Sequence, residues 1–261
     1  MPETTIKLDV TDPIHPCVRF SSRKGPPAIS LAVMDHLTAA IKQVRSMPGV
    51  RTLTITGGQK IFAAGGDLKE FMGLDTPKKG RAMAEKMHSV IAALEGLPFP
   101  VIAAISGDAF GGGLELAVGC DIRIAAEHAS MGFTQARFGL IPGWGGASRM
   151  AALIGPGRAF YLMSTARVLT AQEAMAMGIV QLVVKSDDFN EAIADYRKSV
   201  QRLSPDAVAA AKRVILHGLR QGWHGNMGYE LDEFEALWAS PQHLEGLRAF
   251  FAKEKPNWAD K

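Results

Sequence analysis

The sequence predicts an α/β fold with mostly parallel strand pairing, and three observations carry that expectation. Short β-branched or apolar runs alternate with capped amphipathic stretches up to Val184. Twice a strand runs into glycines that open a helix, once at Gly65-Gly66 and again at Gly111-Gly112-Gly113. Beyond Val184 the chain reads as helical throughout, which sets off a C-terminal lobe with a boundary near residue 200. Strands separated by helices need crossover connections, and these favour parallel neighbours. The expected organisation is therefore a core over residues 1–200 and a helical lobe over 201–261.

Each element has a local reason. Ile6–Val10 alternates in polarity and reads as a strand, as does Cys17–Phe20. Ser21 to Pro27 is a turn-rich connection carrying Arg23 and Lys24. Ser30 is placed to cap a helix that runs to about Met47 and is stopped by Pro48-Gly49. Thr52–Thr56 is a β-branched strand, followed by Gly57-Gly58. Thr76-Pro77 has the form of an N-cap with proline at the first helical position, and that helix continues to about Glu95. Val101–Ile105 reads as a buried strand and Ile122–Ala126 as another. Gly139-Leu140-Ile141-Pro142-Gly143-Trp144-Gly145-Gly146 is a third glycine-rich loop, leading into a helix through Ile154. Thr170 and Glu173 have the spacing of a capping box, and Ile179–Val184 reads as a strand. Ser204-Pro205 and Ser240-Pro241 both read as helix starts.

Composition narrows the function. The 261 residues are 47% hydrophobic with a net charge of +3, and a mean hydropathy of +0.05 is that of an ordinary globular chain. The mild basicity is spread along the sequence. It is too weak for a nucleic-acid binder and suits an anionic small molecule. Cys17 and Cys120 lie far apart without a C-x-x-C pattern, so neither a metal site nor a disulfide framework is expected. No apolar run reaches membrane-spanning length. The start has neither a secretory nor a transit composition, and a cytoplasmic location is the expectation.

The stretch Ile105–Asp121 is where the residues suggest chemistry. Glycines at a helix start leave the backbone open to a ligand. The first N–H groups of a helix have no partner within it and sit at the positive end of its dipole. Glu115 lies one turn after Gly112, which places a carboxyl group beside this anion hole. The Gly65-Gly66 turn could aim a second N–H at the same oxygen. Neither G-x-G-x-x-G nor G-x-x-x-x-G-K-[ST] occurs, so a nucleotide cradle is not indicated. A tight packing turn with a solvated Glu115 is the competing reading of this stretch alone.

Four ordered segments resemble the enoyl-CoA hydratase/isomerase (crotonase) superfamily. They are Phe62-Ala63-Ala64-Gly65-Gly66-Asp67-Leu68-Lys69, Gly111–Ala117, the Gly139–Gly146 loop, and Glu245–Phe251 followed by Lys253 and Pro256. The resemblance spans nearly the whole chain. It implies a spiral of ββα units with a helical C-terminal lobe, assembled as a homotrimer or a dimer of trimers. The implied ligand is an acyl-CoA thioester, so coenzyme A arrives as part of the substrate and no separate cofactor or metal is expected. The Gly66 and Gly112 N–H groups would hold the thioester oxygen and stabilise an enolate. Ala64, Asp67 and Lys69 fall in the segment that contacts CoA in the family. Phe234 and Lys253 correspond to further CoA contacts, and Trp144 lies in the loop lining the acyl pocket. Four of these residues also have plain structural readings: Asp67 as a helix cap, Phe234 as core at helical spacing from Trp238, and Lys69 and Lys253 as solvated surface charges. Asp121 reads as securing the strand that follows it.

The chain departs from the hydratase pattern at one place. Hydratases of the superfamily use two glutamates, and the second position here is Gln135. Glutamine can orient a water but cannot take its proton at neutral pH. Many isomerases carry an acid at the place of Gly143, and that acid is absent too. Glu115, Gly66, Gly112 and Gln135 are thus the candidate catalytic set. Hydratase-type (lyase) chemistry is the leading expectation. Double-bond isomerisation, decarboxylation of a methylmalonyl- or ethylmalonyl-type thioester, and a non-catalytic CoA- or RNA-binding paralogue are the alternatives.

Overall fold

The computed structural model describes residues 4–258. β1 (Thr4–Asp9) and β2 (Cys17–Ser22) form an antiparallel pair with Asp9 opposite Cys17. Ser30 Oγ accepts the Val33 N–H and starts α1 (Leu31–Ser46). The chain then runs β3 (Leu53–Thr56), β4 (Ile61–Ala63), α2 (Leu68–Phe71) and α3 (Pro77–Glu95). Next come β5 (Val101–Ile105), β6 (Asp108–Phe110), α4 (Gly112–Val118), β7 (Ile122–Ala126) and β8 (Ser130–Gly132). A 3-10 turn at Gln135–Phe138 leads to α5 (Gly146–Ile154), α6 (Pro156–Thr165), β9 (Leu169–Thr170), α7 (Ala171–Ala176) and β10 (Leu182–Val184). Three helices close the chain: α8 (Phe189–Gln201), α9 (Pro205–Leu237) and α10 (Pro241–Ala252).

Two sheets result, one ordered β1-β2-β3-β5-β7-β10 and the other β4-β6-β8-β9. All pairs are parallel except β1–β2 and β8–β9. Three successive turns of chain, starting at β3, β5 and β7, each give one strand to the large sheet, one to the small sheet, and then a helix. That repetition is the spiral of ββα units. Its second and third turns place the starts of α4 and α5 side by side.

At β5 and β7 the large sheet is covered on both faces, which is why these strands are almost uniformly apolar. One face, with Phe20, Leu53, Ile55 and Ile105, belongs to the main core shared with Leu37, Met87 and Ile91. The other face presents Ile102, Ala104, Ile124 and Ala126 to Phe189 and Ile193 of α8. α8 does not extend over β2 and β3, whose outward residues line an open cleft.

Several sequence expectations are refined. The strand expected at Ile179 begins at Leu182, because α7 ends in a left-handed cap at Gly178, φ 85°. Gly178 N–H donates to the Met175 carbonyl and Ile179 N–H to that of Ala174, a Schellman closure. The strands β4, β6, β8 and β9 have at most three residues, too short to show a period. Asp121 stands just before β7 and holds it to the start of β5, its partner strand, where the Asp121 N–H donates to the Val101 carbonyl at 2.9 Å. Its carboxylate accepts the Val101 N–H at 2.7 Å, at the start of the preceding strand, and the Lys212 ammonium at 2.7 Å. It thereby ties α9 to the core. α9 itself is broken at Gly222, φ 71° and ψ 167°. Among the described residues no helix is long and apolar enough to cross a membrane.

Candidate active site

The two glycine turns meet. Gly65, at φ 100°, approaches so closely that a Cβ on it would lie 3.0 Å from the Gly112 nitrogen. Around the first turn a parallel bridge pairs Ile29 with Gly66, using the Gly65 carbonyl and the Asp67 N–H. That pattern skips the Gly66 N–H. The Gly112 N–H is the first of α4 and has no carbonyl behind it within the helix. Neither N–H has an acceptor among the described residues.

The three consecutive glycines serve different ends. Gly111 takes φ 52° at the turn into α4. A Cβ on Gly112 would fall 2.1 Å from the Trp144 ring, and one on Gly113 would fall 2.1 Å from the Ala63 carbonyl. The indole of Trp144 therefore lies directly on the Gly112 backbone. Phe71 covers Gly66 in the same way, with a ring carbon 2.3 Å from where a Cβ would stand. Trp144 is buried, and its Nε1–H donates to the Met83 sulfur at 3.2 Å. His88, like Met83 on α3, holds the loop by bonding the Gly143 carbonyl at 3.0 Å.

Glu115 is buried, 2% exposed, so the solvated reading of this residue is excluded. Its Oε2 accepts the Trp144 N–H at 2.6 Å and the Gly146 N–H at 2.9 Å. Gly146 is the first residue of α5, whose N-terminus has no side-chain cap of its own. Glu115 thus sits at the positive end of a neighbouring helix. The Gln135 amide donates to Glu115 Oε1 at 3.0 Å. Burial pushes the Glu115 carboxyl up from its ordinary value, opposed by the Gly146, Trp144 and Gln135 donors. The Gly143 N–H adds to these donors, and the Gln135 amide supplies the bond that reaches Oε1. Beside it the Gln135 Oε1 is buried without a hydrogen-bond partner, which is costly unless a donor arrives there.

The other expected site residues are less closely gathered. The Asp67 carboxylate accepts the N–H groups of Lys69 and Glu70, both at 3.1 Å, so it is occupied as the N-cap of α2. Lys69 is exposed on α2, and Ala64 lies half-buried just before the first glycine turn. Phe234 is 58% exposed and is therefore not core; its ring centroid lies 5.4 Å from that of Trp238. Lys253 caps α10 in a left-handed conformation. Phe71, Met83 and His88 went unnoticed in the sequence. Among the described residues no cluster of three or more His, Cys, Asp or Glu could hold a metal ion.

Two open backbone donors beside a buried carboxyl and an open amide oxygen can polarise a carbonyl and move a proton next to it. Comparison with known proteins points to the same class. The profile of the enoyl-CoA hydratase/isomerase family matches residues 17–261, and the chain belongs to that family. The crotonyl-CoA hydratase of Syntrophomonas wolfei is 34% identical over 241 residues, covering 91% of this chain and 92% of the relative. The mitochondrial methylglutaconyl-CoA hydratase of Mus musculus is 36% identical over 241 residues, covering 90% and 76%. The crystal structure of enoyl-CoA hydratase from Bacillus anthracis superposes with a TM-score of 0.93 at 35% identity, covering 98% and 99%. The chain is a crotonase-fold enzyme of acyl-CoA thioester chemistry.

Proposed function

We propose that the protein hydrates a short-chain 2-enoyl-CoA thioester, with the Glu115–Gln135 pair handling the water. The observation that carries this reading is the buried Gln135 Oε1, without a partner among the described residues, on the amide that donates to Glu115 Oε1. A water bridging the two oxygens donates one hydrogen to each, and its own lone pair is left to attack. The Gly66 and Gly112 N–H groups hold the thioester oxygen, each such donor being worth roughly 3 kcal/mol to the transition state. Water oxygen bonds to the β-carbon and Glu115 takes its proton, while the π electrons move onto the carbonyl oxygen as enolate. Glu115 then returns a proton to the α-carbon, and the atoms of one water have been added. Trp144 and Phe71, pressed against the two glycines, leave little width beside the thioester, which supports a short acyl group.

CoA contacts at Ala64, Lys69, Phe234 and Lys253 belong to the same proposal, as does a cytoplasmic setting. So does a homotrimer or dimer of trimers. Leu231 and Phe234 on α9, Trp238 at its C-terminal cap, and Phe250 and Phe251 on α10 are all more than half exposed, an apolar surface that a further copy of the chain would cover. A second reading has its own support: one carboxyl is enough for isomerisation or for protonating an enolate left by decarboxylation. The test is a panel of crotonyl-, 3-enoyl-, methylmalonyl- and ethylmalonyl-CoA with products followed by mass. Conversion of crotonyl-CoA to the 3-hydroxy thioester as the fastest reaction is expected. Faster loss of carbon dioxide from a malonyl-type thioester would replace hydration by the second reading.

A further inference from the structure

A cavity of about 800 Å³ lies apart from the thioester site. It lies on the opposite face of the large sheet from α4, where α8 stops short of β2 and β3. Its floor is formed by the outward residues Cys17, Arg19, Thr54 and Thr56, and its wall by Asn190 and Arg197 of α8. The setting is unusual for a sheet face, because hydroxyls and guanidinium groups stand where apolar residues would normally pack against a helix.

We propose that this cleft binds a small phosphate-bearing anion, at a site separate from the thioester pocket. Arg19 and Arg197 reach it from two different elements, and neither forms an ion pair with a carboxylate among the described residues. One Arg197 Nη donates to Thr54 Oγ1 at 2.7 Å, which fixes the side chain along the floor. Its Nε is buried with no acceptor among the described residues. A buried guanidinium N–H without an acceptor carries a desolvation cost that an anion would remove. The planar fork matches the oxygens of a phosphate better than any other common anion except a carboxylate. Lys60 adds a third positive charge to the lining. Two carboxylates, Asp9 and Asp187, share that lining. Asp9 is occupied by the Thr11 N–H at 3.0 Å and the Thr11 hydroxyl at 2.6 Å. The site thus has one excess positive charge and donors in place, in a volume that holds a phosphate ester of a few carbons.

The test is titration of the intact protein with inorganic phosphate by calorimetry, alone and with acetoacetyl-CoA present. Saturable phosphate binding that persists with the thioester present is expected. The double substitution Arg19→Met with Arg197→Met should weaken it about tenfold or more, with turnover of the preferred thioester unchanged. Equal phosphate affinity in the double variant, or displacement of phosphate by acetoacetyl-CoA, would overturn the proposal. Should the double variant not fold, the wild-type protein supplies a second readout. Cys17 lies on the cleft floor, so its alkylation by iodoacetamide should slow several-fold at millimolar phosphate. Unchanged alkylation would equally overturn the site.

Discussion

Replacing Glu115 by glutamine separates its chemical role from its structural one. The amide keeps the shape and can satisfy the same neighbours. Its oxygen accepts the Trp144 and Gly146 N–H groups, now at 2.6 and 2.9 Å from Oε2. Its NH2 meets Gln135, whose own amide needs only to turn its oxygen inward. The turned Gln135 carries its NH2 to where its partnerless oxygen stood, exchanging one unpaired polar group for another, so the substitution should change stability little. The sign of the change can be worked out. Burial raises the Glu115 pKa above its ordinary 4.5 in the folded protein. Between 4.5 and that raised value the folded state binds more protons than the unfolded one, so stability falls as pH rises through the window. Above it the ionised carboxylate carries a burial cost that glutamine lacks. At pH 7 the variant should therefore melt at the same temperature as wild type or higher, with the difference vanishing below pH 4.5. Turnover should fall about 10²–10⁴-fold, or about 3–5 kcal/mol in the barrier, with thioester binding retained. Steady-state kinetics on the preferred thioester and a thermal melt on the same samples decide it. Activity within about threefold of wild type, or a clear drop in melting temperature, would refute the reasoning and make Glu115 a cap of α5 alone.

Other outcomes follow from the same geometry. Gln135→Ala removes the water-orienting oxygen, so hydration of crotonyl-CoA should fall about tenfold or more while acetoacetyl-CoA affinity, read by calorimetry, stays the same. Trp144→Leu keeps the backbone N–H on Glu115 but widens the space beside Gly112; kcat/KM across acyl lengths should move its optimum to longer chains. Lys212→Met leaves the partly buried Asp121 carboxylate with the Val101 N–H and the nearby Arg123 charge, and urea unfolding should show a loss of about 1–3 kcal/mol, below the cost of breaking a fully buried pair. His15 is buried against the Thr52 hydroxyl at 2.8 Å, with its Nε2 unpartnered, and burial depresses its pKa below 6.5. Its contribution to stability is full above 6.5 and lost as pH falls below that value, so His15→Gln should flatten the decline in melting temperature between pH 7 and pH 5.

The parts of the fold that were legible in the sequence are those with a local cause. Ser30, Thr76, Thr170, Ser204 and Ser240 each cap the helix that follows, as their spacing predicts. β5 and β7 were readable because two covered faces make a strand apolar throughout. The small sheet was not, since its strands are too short for a period and are set by the neighbouring turns. Within the site, the glycines and Glu115 were visible because helix geometry fixes their relation over one turn. Phe71, Met83 and His88 were not, because they approach the glycines and the Gly139–Gly146 loop from helices whose own patterns are ordinary. The bridge from Asp121 to Lys212 spans 91 residues, and no local pattern could announce it.

Gln135 changes the electrostatics of the site as well as the number of acids in it. A second carboxylate 3.0 Å from Glu115 would oppose its ionisation, so that one of the pair would hold a proton at neutral pH. The glutamine amide does the reverse. It donates to Glu115 and joins the N-terminus of α5 in favouring the ionised form against burial. On the proposed function Glu115 is then the base with no separate acid beside it, and the proton that reaches the α-carbon must pass through Glu115. If water is the nucleophile, its proton and the one delivered to carbon share a single carrier, which places the new hydroxyl and the new hydrogen on the same face of the former double bond. The arrangement that makes the sequence look deficient in an acid thus also constrains the stereochemistry, because both transfers start from one oxygen beside the Gly112 N–H.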